Sequence, residues 1–227
     1  MEQNRVCFAY FSGLCAAFCH EEAVFVGLLT GSPERLKRQM AFIVEIDKLK
    51  HILRRNTLPG DARRENDAEH SWHMALMVAL LAEYVQEPGL DITRAMKMAL
   101  VHDLVEIDAG DTYAYDAQGY EDKAAREQAA AQRIFSLLPD DQAAELRGLW
   151  EEFEAVETVT ARYAAAIDRI QPLLLNYLTE GEVWKQNGIV REQVLRRNAP
   201  VKRIVPELWP FVTGLIDDAV SKGYLGA

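Results

Sequence analysis

In the stretch MALVHDLVEIDAGDTYAYD, residues 98 to 116, an apolar run ends in His102-Asp103, and Glu106, Asp108, Asp111 and Asp116 follow closely. Crowded carboxylates repel one another, and ionised groups leave water only at high cost unless positive charge compensates. A metal ion supplies such charge, provided the rest of the chain completes its ligands. The histidines are His20, His51, His70, His73 and His102. His70 lies in NDAEHSWHMALM, at the start of a helical pattern. On a helix, His102 and Asp103 point about 100° apart, so both can flank one ion placed between their directions. Asp168, in RYAAAIDRIQPLLL, is a carboxylate on an apolar helix stripe between Ile167 and Ile170, where it needs a partner. It is the best candidate for a fourth ligand, although taken alone a salt bridge to Arg162 or Arg169 is the simpler explanation.

Helices are suited to bringing such groups together from distant parts of a chain. SPERLKRQMAFIVEIDKLKHILRR opens on Ser32 as an N-cap, with Pro33 in the first helical position and Glu34 in the first turn, and reads as one helix through Arg55. NTLPGDARREND is turn-rich. A helix over residues 68 to 86 carries Met74, Met77, Val78, Leu81 and Val85 along one side, with Trp72 expected in the core. Asp91 caps the helix that ends in His102-Asp103. Further helices are expected over 121–137, 141–156, 160–179, 189–197 and 206–221. Period-two alternation is nearly absent and there is no internal repeat, so one all-α domain over residues 33–227 is expected, preceded by an N-terminal extension, 1–32.

Composition limits the partners. The chain has 227 residues, 49% of them hydrophobic, and a formal net charge of -10 without a Lys/Arg-rich block. Binding a nucleic-acid polymer depends on neutralising many phosphates, so that class is excluded, whereas a small anionic substrate needs only a few local arginines. The cysteines Cys7, Cys15 and Cys19 all precede residue 20, which leaves no disulfide framework and fits a reducing cytoplasm. Cys15, Cys19 and His20 lack the second paired element of a zinc finger and read as apolar packing. VCFAYFSGLCAAFC is too short to span a bilayer, and no membrane association is expected.

The order His70, His102-Asp103, Asp168 resembles the signature of the HD-domain metal-dependent phosphohydrolases. RRENDAEHSW and HDLVEIDAGD look like the branch that contains bacterial 5'-deoxynucleotidases and their eukaryotic relatives, and the likeness covers roughly residues 34 to 200. It implies an all-α HD-domain bundle of about six to eight helices, with His70, His102, Asp103 and Asp168 as metal ligands. Two imidazoles and two carboxylates suit one divalent transition metal (Mn, Co, Fe, Ni or Zn) better than Mg, which prefers oxygen ligands. Such an ion polarises a phosphoryl oxygen and lowers the pKa of bound water.

By the same resemblance Glu106 orients the attacking water and moves its proton, and Asp111 supports the water network or contacts the sugar. Arg54 and Arg63 are the expected phosphate ligands, since a guanidinium fork matches phosphate better than an ammonium does. Arg55 and Arg64 are expected in surface salt bridges, Asp108 and Asp116 at the surface or in caps, and His51 in solvent. His73 is expected to pack near the ligands rather than join them. The branch often carries a tryptophan just after the Arg54 position, where this chain has Arg55, Asn56 and Thr57; the preference for deoxyribose or for a particular base is therefore not implied. The expected activity is hydrolysis of 5'-(deoxy)nucleoside monophosphates. An alarmone of the guanosine tetraphosphate type is the competing substrate, disfavoured by Ile107 where those hydrolases carry Asp, and a non-catalytic metal-binding module is the reading from another class. Trp209, Phe211 and Leu215 are equally consistent with a homodimer face and with packing against the same chain.

Overall fold

The computed structural model describes residues 30–227, so the cysteines, His20 and nearly all of the proposed N-terminal extension lie outside the described residues. Helix α1 (Glu34–Ile46) starts after Pro33 and tightens into a 3-10 turn over Asp47–His51. Here the expected single helix through Arg55 is corrected. The chain turns extended at Ile52 and forms a hairpin, β1 (Leu53–Thr57) antiparallel to β2 (Arg64–Asn66). Hydropathy hides this strand because its inward alternation is polar: Asn56 is buried and Arg54 half-buried, while Leu53 and Arg55 face out. Gly60, at φ 78°, supplies the left-handed residue of the connecting turn.

Helix α2 (Asp67–Leu81) begins in a capping box. The Asn66 side chain accepts from the Glu69 N–H at 3.0 Å, and the Glu69 carboxylate accepts from the Asn66 N–H at 3.2 Å. This fixes His70 in the helix's first turn. Helix α3 (Ile92–Val101) is capped by Asp91 and tightens into a 3-10 turn over His102–Val105. The short α4 (Glu106–Ala109) follows and is ended by Gly110 at φ 75°. Helices α5 (Lys123–Phe135) and α6 (Asp140–Ala155) then form an antiparallel pair packed on the α3 turn and α3.

Helix α7 (Val159–Leu178) runs through the middle of the molecule, buried on most of its circumference against α2, α3 and α6. Two hydrogen bonds set its position: Tyr163 Oη donates to Val78 O at 2.7 Å, and the Asp91 N–H donates to Thr160 Oγ1 at 3.1 Å. Pro172 sits inside α7, one turn after Asp168, and supplies no N–H to the carbonyl there. The chain closes with α8 (Glu182–Gln186), α9 (Arg191–Asn198), α10 (Val201–Ile204) and α11 (Trp209–Ser221). Eight of these helices have eight or more residues, within the expected helical bundle.

One side-chain expectation is corrected, and one open alternative is narrowed. Trp72 is 63% exposed, because the buried face of α2 is taken by His70, Met74, Met77 and Val78. Trp209 and Leu215 pack on the core and leave only Phe211 of that trio exposed.

Candidate metal centre

His70 from α2, His102 and Asp103 from the turn after α3, and Asp168 from α7 converge. His70 Nε2 lies 3.1 Å from Asp168 Oδ1 and 3.9 Å from Asp103 Oδ2, while His102 Nε2 lies 3.1 Å from Asp103 Oδ1 and 3.8 Å from Asp168 Oδ1. The ring orientations are fixed from behind. His70 Nδ1 is 3.0 Å from Gln171 Oε1, and His102 Nδ1 is 3.0 Å from Ala99 O; both oxygens accept, so each Nδ1 donates and each Nε2 is turned toward the carboxylates. The Nε2 atom of His102 is buried with no hydrogen-bond partner among the described residues. Ligand atoms from His70, His102 and Asp168 all lie within 4.8 Å of one another. Two imidazole lone pairs facing two carboxylates form a donor set that fits a divalent cation.

The electrostatics agree. Burial pushes the Asp168 carboxyl up, but the facing imidazoles of His102 and His70 outweigh this and hold it well below the usual carboxylate range. His102 is disfavoured as a cation by burial, yet Asp103 and Asp168 raise its pKa to about 9, so a proton occupies the position a metal ion would otherwise take.

Beside this group sits a second acidic cluster, Asp67, Glu106 and Asp111, whose ligand atoms also lie within 4.8 Å of one another. Asp67 is fully buried and Glu106 nearly so, and one oxygen of each lacks a partner. Burial, and then repulsion from Asp103, raises the pKa of Asp67 to about 7 and that of Glu106 well above the ordinary value, and burial raises Asp111 as well. Arg54 ties the two clusters together. Its Nη1 donates to Asp103 Oδ2 at 2.9 Å and to Asp67 Oδ1 at 3.3 Å, and its Nε lies 3.8 Å from Glu65 Oε2.

The structure brings Arg54, Glu106 and Asp111 to the site with the four candidate ligands, but not Arg63. Arg63 is half-exposed and forms a two-pronged ion pair with Glu69, because the hairpin turn directs it along α2 instead of into the cleft. Arg55 and Arg64 are corrected too: neither forms an ion pair among the described residues. Arg55 stacks over the Tyr113 ring, and Arg64 donates to the carbonyls of Leu53 and Arg54 across the hairpin. Asp108 pairs with Arg133, Asp116 accepts from the Gly119 N–H, and His51 is exposed, as expected. His73 Nδ1 lies 3.3 Å from Gln171 Nε2, next to the group that holds His70.

Sequence reasoning missed Asp67, Glu65 and Gln171. Gln171 Nε2 donates to Glu65 Oε1 at 2.6 Å, so Glu65 fixes the amide that orients His70. Asp67 lies three residues before His70, and Gln171 three after Asp168; helical spacing was the available signal, because residues three apart share a face.

The cleft beside the centre is lined by Arg54, Arg55, Asp111, Tyr113, Arg169 and Arg197, among others. Arg55, Arg169 and Arg197 have no carboxylate partner among the described residues, although the chain as a whole is acidic.

Comparison with known proteins agrees with this geometry. The family model described as HD domain matches residues 46–209. The 5'-deoxynucleotidase HDDC2 of Xenopus laevis is 28% identical over 186 residues, 82% of this chain and 89% of that protein. Its Homo sapiens counterpart is 30% identical over 150 residues, 66% of this chain and 72% of that protein. A crystal structure of a predicted metal-dependent phosphohydrolase from Magnetospirillum magnetotacticum MS-1 is 51% identical, with a TM-score of 0.81 over 85% of this chain and 96% of that one. A conserved hypothetical protein from Pyrococcus furiosus, 22% identical with a TM-score of 0.57 over 80% of this chain and 99% of that one, shares the fold.

Proposed function

Because the chain belongs to the HD domain family, we propose that it is a divalent-metal-dependent phosphomonoesterase that hydrolyses 5'-(deoxy)nucleoside monophosphates to nucleoside and phosphate. The observation that carries this reading is the convergence of the His70 and His102 Nε2 atoms with Asp168 and Asp103 beside an arginine-lined cleft. His70, His102, Asp103 and Asp168 hold the ion, of the class Mn, Co, Fe, Ni or Zn. When bound, it polarises the phosphoryl group and makes a coordinated water easier to deprotonate.

The chain's own residues do the rest. Glu106, buried beside Asp67 and Asp111, orients the attacking water and takes its proton. Asp111, half-buried at the mouth of the cleft, holds the water network or the sugar. Arg54 offers its fork to the phosphate, and Arg55, Arg169 and Arg197 draw the anion in against the negative charge of the molecule. Arg63 has no part in it. The substrate is a small nucleotide and not a nucleic-acid polymer. Two copies of the chain pair as a homodimer, and the protein works in the cytoplasm; no helix among the described residues is long and apolar enough to cross a membrane.

The test is phosphate release by metal-stripped protein resupplied in turn with Mn, Co, Zn or Mg, on a panel of 5'-deoxy- and ribonucleoside monophosphates, a 3'-monophosphate and an alarmone. Release from the 5'-monophosphates that depends on the metal is expected. Release from the alarmone alone would replace the substrate class, and silence across the panel with metal bound would remove the activity.

A further inference from the structure

The cleft runs from the metal centre between β1, residues 111–115 and helices α7, α8 and α9, and away from the metal its lining is apolar and aromatic as well as cationic, with Arg169 and Arg197 beside the groups described next. Leu173, Trp184 and Val194 form an apolar wall, each nearly or fully buried. Tyr113 and Tyr115 lie on the lining too, edge to face with ring centroids 5.4 Å apart. Within this lining three buried polar atoms have no partner among the described residues: Oδ1 of Asn176, Oδ1 of Asn198 and the hydroxyl of Tyr113.

Both amides are oriented by the helices that carry them. Asn176 Nδ2 donates to Pro172 O at 2.8 Å and Asn198 Nδ2 to Val194 O at 2.9 Å, each one turn back. The end left over is in both cases a carbonyl, which can only accept. Buried acceptors are nearly always satisfied in folded proteins, so two on one cleft point to a ligand that brings N–H donors. Their position says which part of the ligand. Asn176 lies eight residues beyond Asp168 on α7, about 12 Å along the axis at the helical rise. That is past the reach of a phosphate held at the metal and comparable to the span from a 5'-phosphate across the sugar to the base. Asn198 sits on α9, which packs on α7 and α11. An apolar wall and two tyrosine rings suit a flat heterocycle.

We infer that the deep end of this cleft is the nucleobase subsite, and that it selects bases with an exocyclic amino group (cytosine, adenine or guanine) through the carbonyls of Asn176 and Asn198. The inference rests on the nucleotidase reading above. A base that presents a carbonyl oxygen in place of the amino group sets acceptor against acceptor, and a site built for a donor rejects such an analogue far more strongly than a mere change of size would.

The test compares matched pairs on the purified, metal-loaded protein: dCMP with dUMP, and dAMP with the purine deoxynucleotide lacking only the 6-amino group. The amino-bearing member of each pair should have kcat/KM at least about tenfold higher, mainly through KM, the size expected of one buried hydrogen bond and its unpaired alternative. In Asn198→Leu and Asn176→Leu the ratio should fall toward one, with the KM of dCMP rising. Because either substitution could disturb its helix, the wild-type ratios provide an independent reading. Equal kcat/KM within both pairs overturns the inference and leaves the nucleotidase reading standing. If no nucleotide is hydrolysed, the nucleotidase reading fails, and calorimetric binding of dCMP against dUMP still decides the subsite: tighter dCMP supports it, and equal or absent binding overturns it.

Discussion

At the scale of single residues, Arg54 is a cation buried among Glu65, Asp67 and Asp103, with only a tenth of its side chain exposed. Removing one partner of a buried ionic group leaves the others uncompensated. Arg54→Ala should therefore lower stability by about 3 kcal/mol in metal-free protein, read from urea unfolding. The loss should shrink when metal is added, since a cation among Asp103 and its neighbours replaces part of the missing charge; an equal loss with and without metal would show that the ion and Arg54 do not share these carboxylates. Glu106 answers a different question. Glu106→Gln keeps shape and burial but removes the proton acceptor, so kcat should fall roughly 10²–10⁴-fold while bound metal, measured by elemental analysis, stays constant. Metal loss in that variant would make Glu106 a ligand, and full activity would remove it from the reaction.

At the scale of elements, the sequence showed which helices carry the chemistry but not how they are tied together. Asp91 was readable as a cap, and the starts expected at residues 68 and 160 fall one residue from those of α2 and α7, so the placement of His70, His102 and Asp168 on their elements was legible; the caps Asn66 and Thr158 were not read. The hairpin was not readable, because β1 turns Arg54 and Asn56 inward and so carries no apolar alternation. Asp67 and Gln171 had only the weak signal of three-residue spacing from His70 and Asp168, while Glu65 had none, because its tie to Gln171 joins positions 106 residues apart. Two ties can be tested. Gly181 joins α7 to α8 at φ 68°, and a Cβ there would lie 1.9 Å from Tyr224 O. Gly181→Ala should displace the C-terminal tail and cost more than about 2 kcal/mol, seen as a lower denaturant midpoint with faster proteolysis near Tyr224. Glu45, nearly buried, receives hydrogen bonds from Lys48 and Arg133 at 2.7 Å each and so links α1 to α5. Burial alone would raise its pKa, but the two cations outweigh it and lower it. A depressed folded pKa means that stability is gained above the unfolded value and lost as pH falls through the folded one. Glu45→Gln should thus cost about 1 kcal/mol at neutral pH, and progressively less as the pH falls through the depressed folded pKa.

At the scale of the whole molecule, the apolar surface is distributed unevenly. On α2, Trp72, Leu76 and Leu80 recur at four-residue steps and are 63%, 44% and 71% exposed. Helix α3, which packs on α2, adds exposed Ile92 and Leu100. Large apolar side chains repeated along one solvent-facing stripe mark an interaction surface more often than chance exposure does. The stripe is carried by the same helix that positions His70, two residues from Trp72, so a partner seated there would also stiffen the first turn of α2. A second copy of the chain satisfies this symmetrically, because a two-fold interface lets one stripe pack on its own counterpart. Of the two roles open from the sequence to Trp209, Phe211 and Leu215, Trp209 and Leu215 take packing on the core. Light scattering coupled to size exclusion should give the mass of two chains, and Trp72→Glu combined with Leu80→Glu should give one, while Phe211→Glu leaves the dimer intact. If metal affinity also falls in the monomeric double variant, the interface supports the centre. If the mass is that of one chain in the wild type, the stripe faces some other partner and the homodimer is wrong.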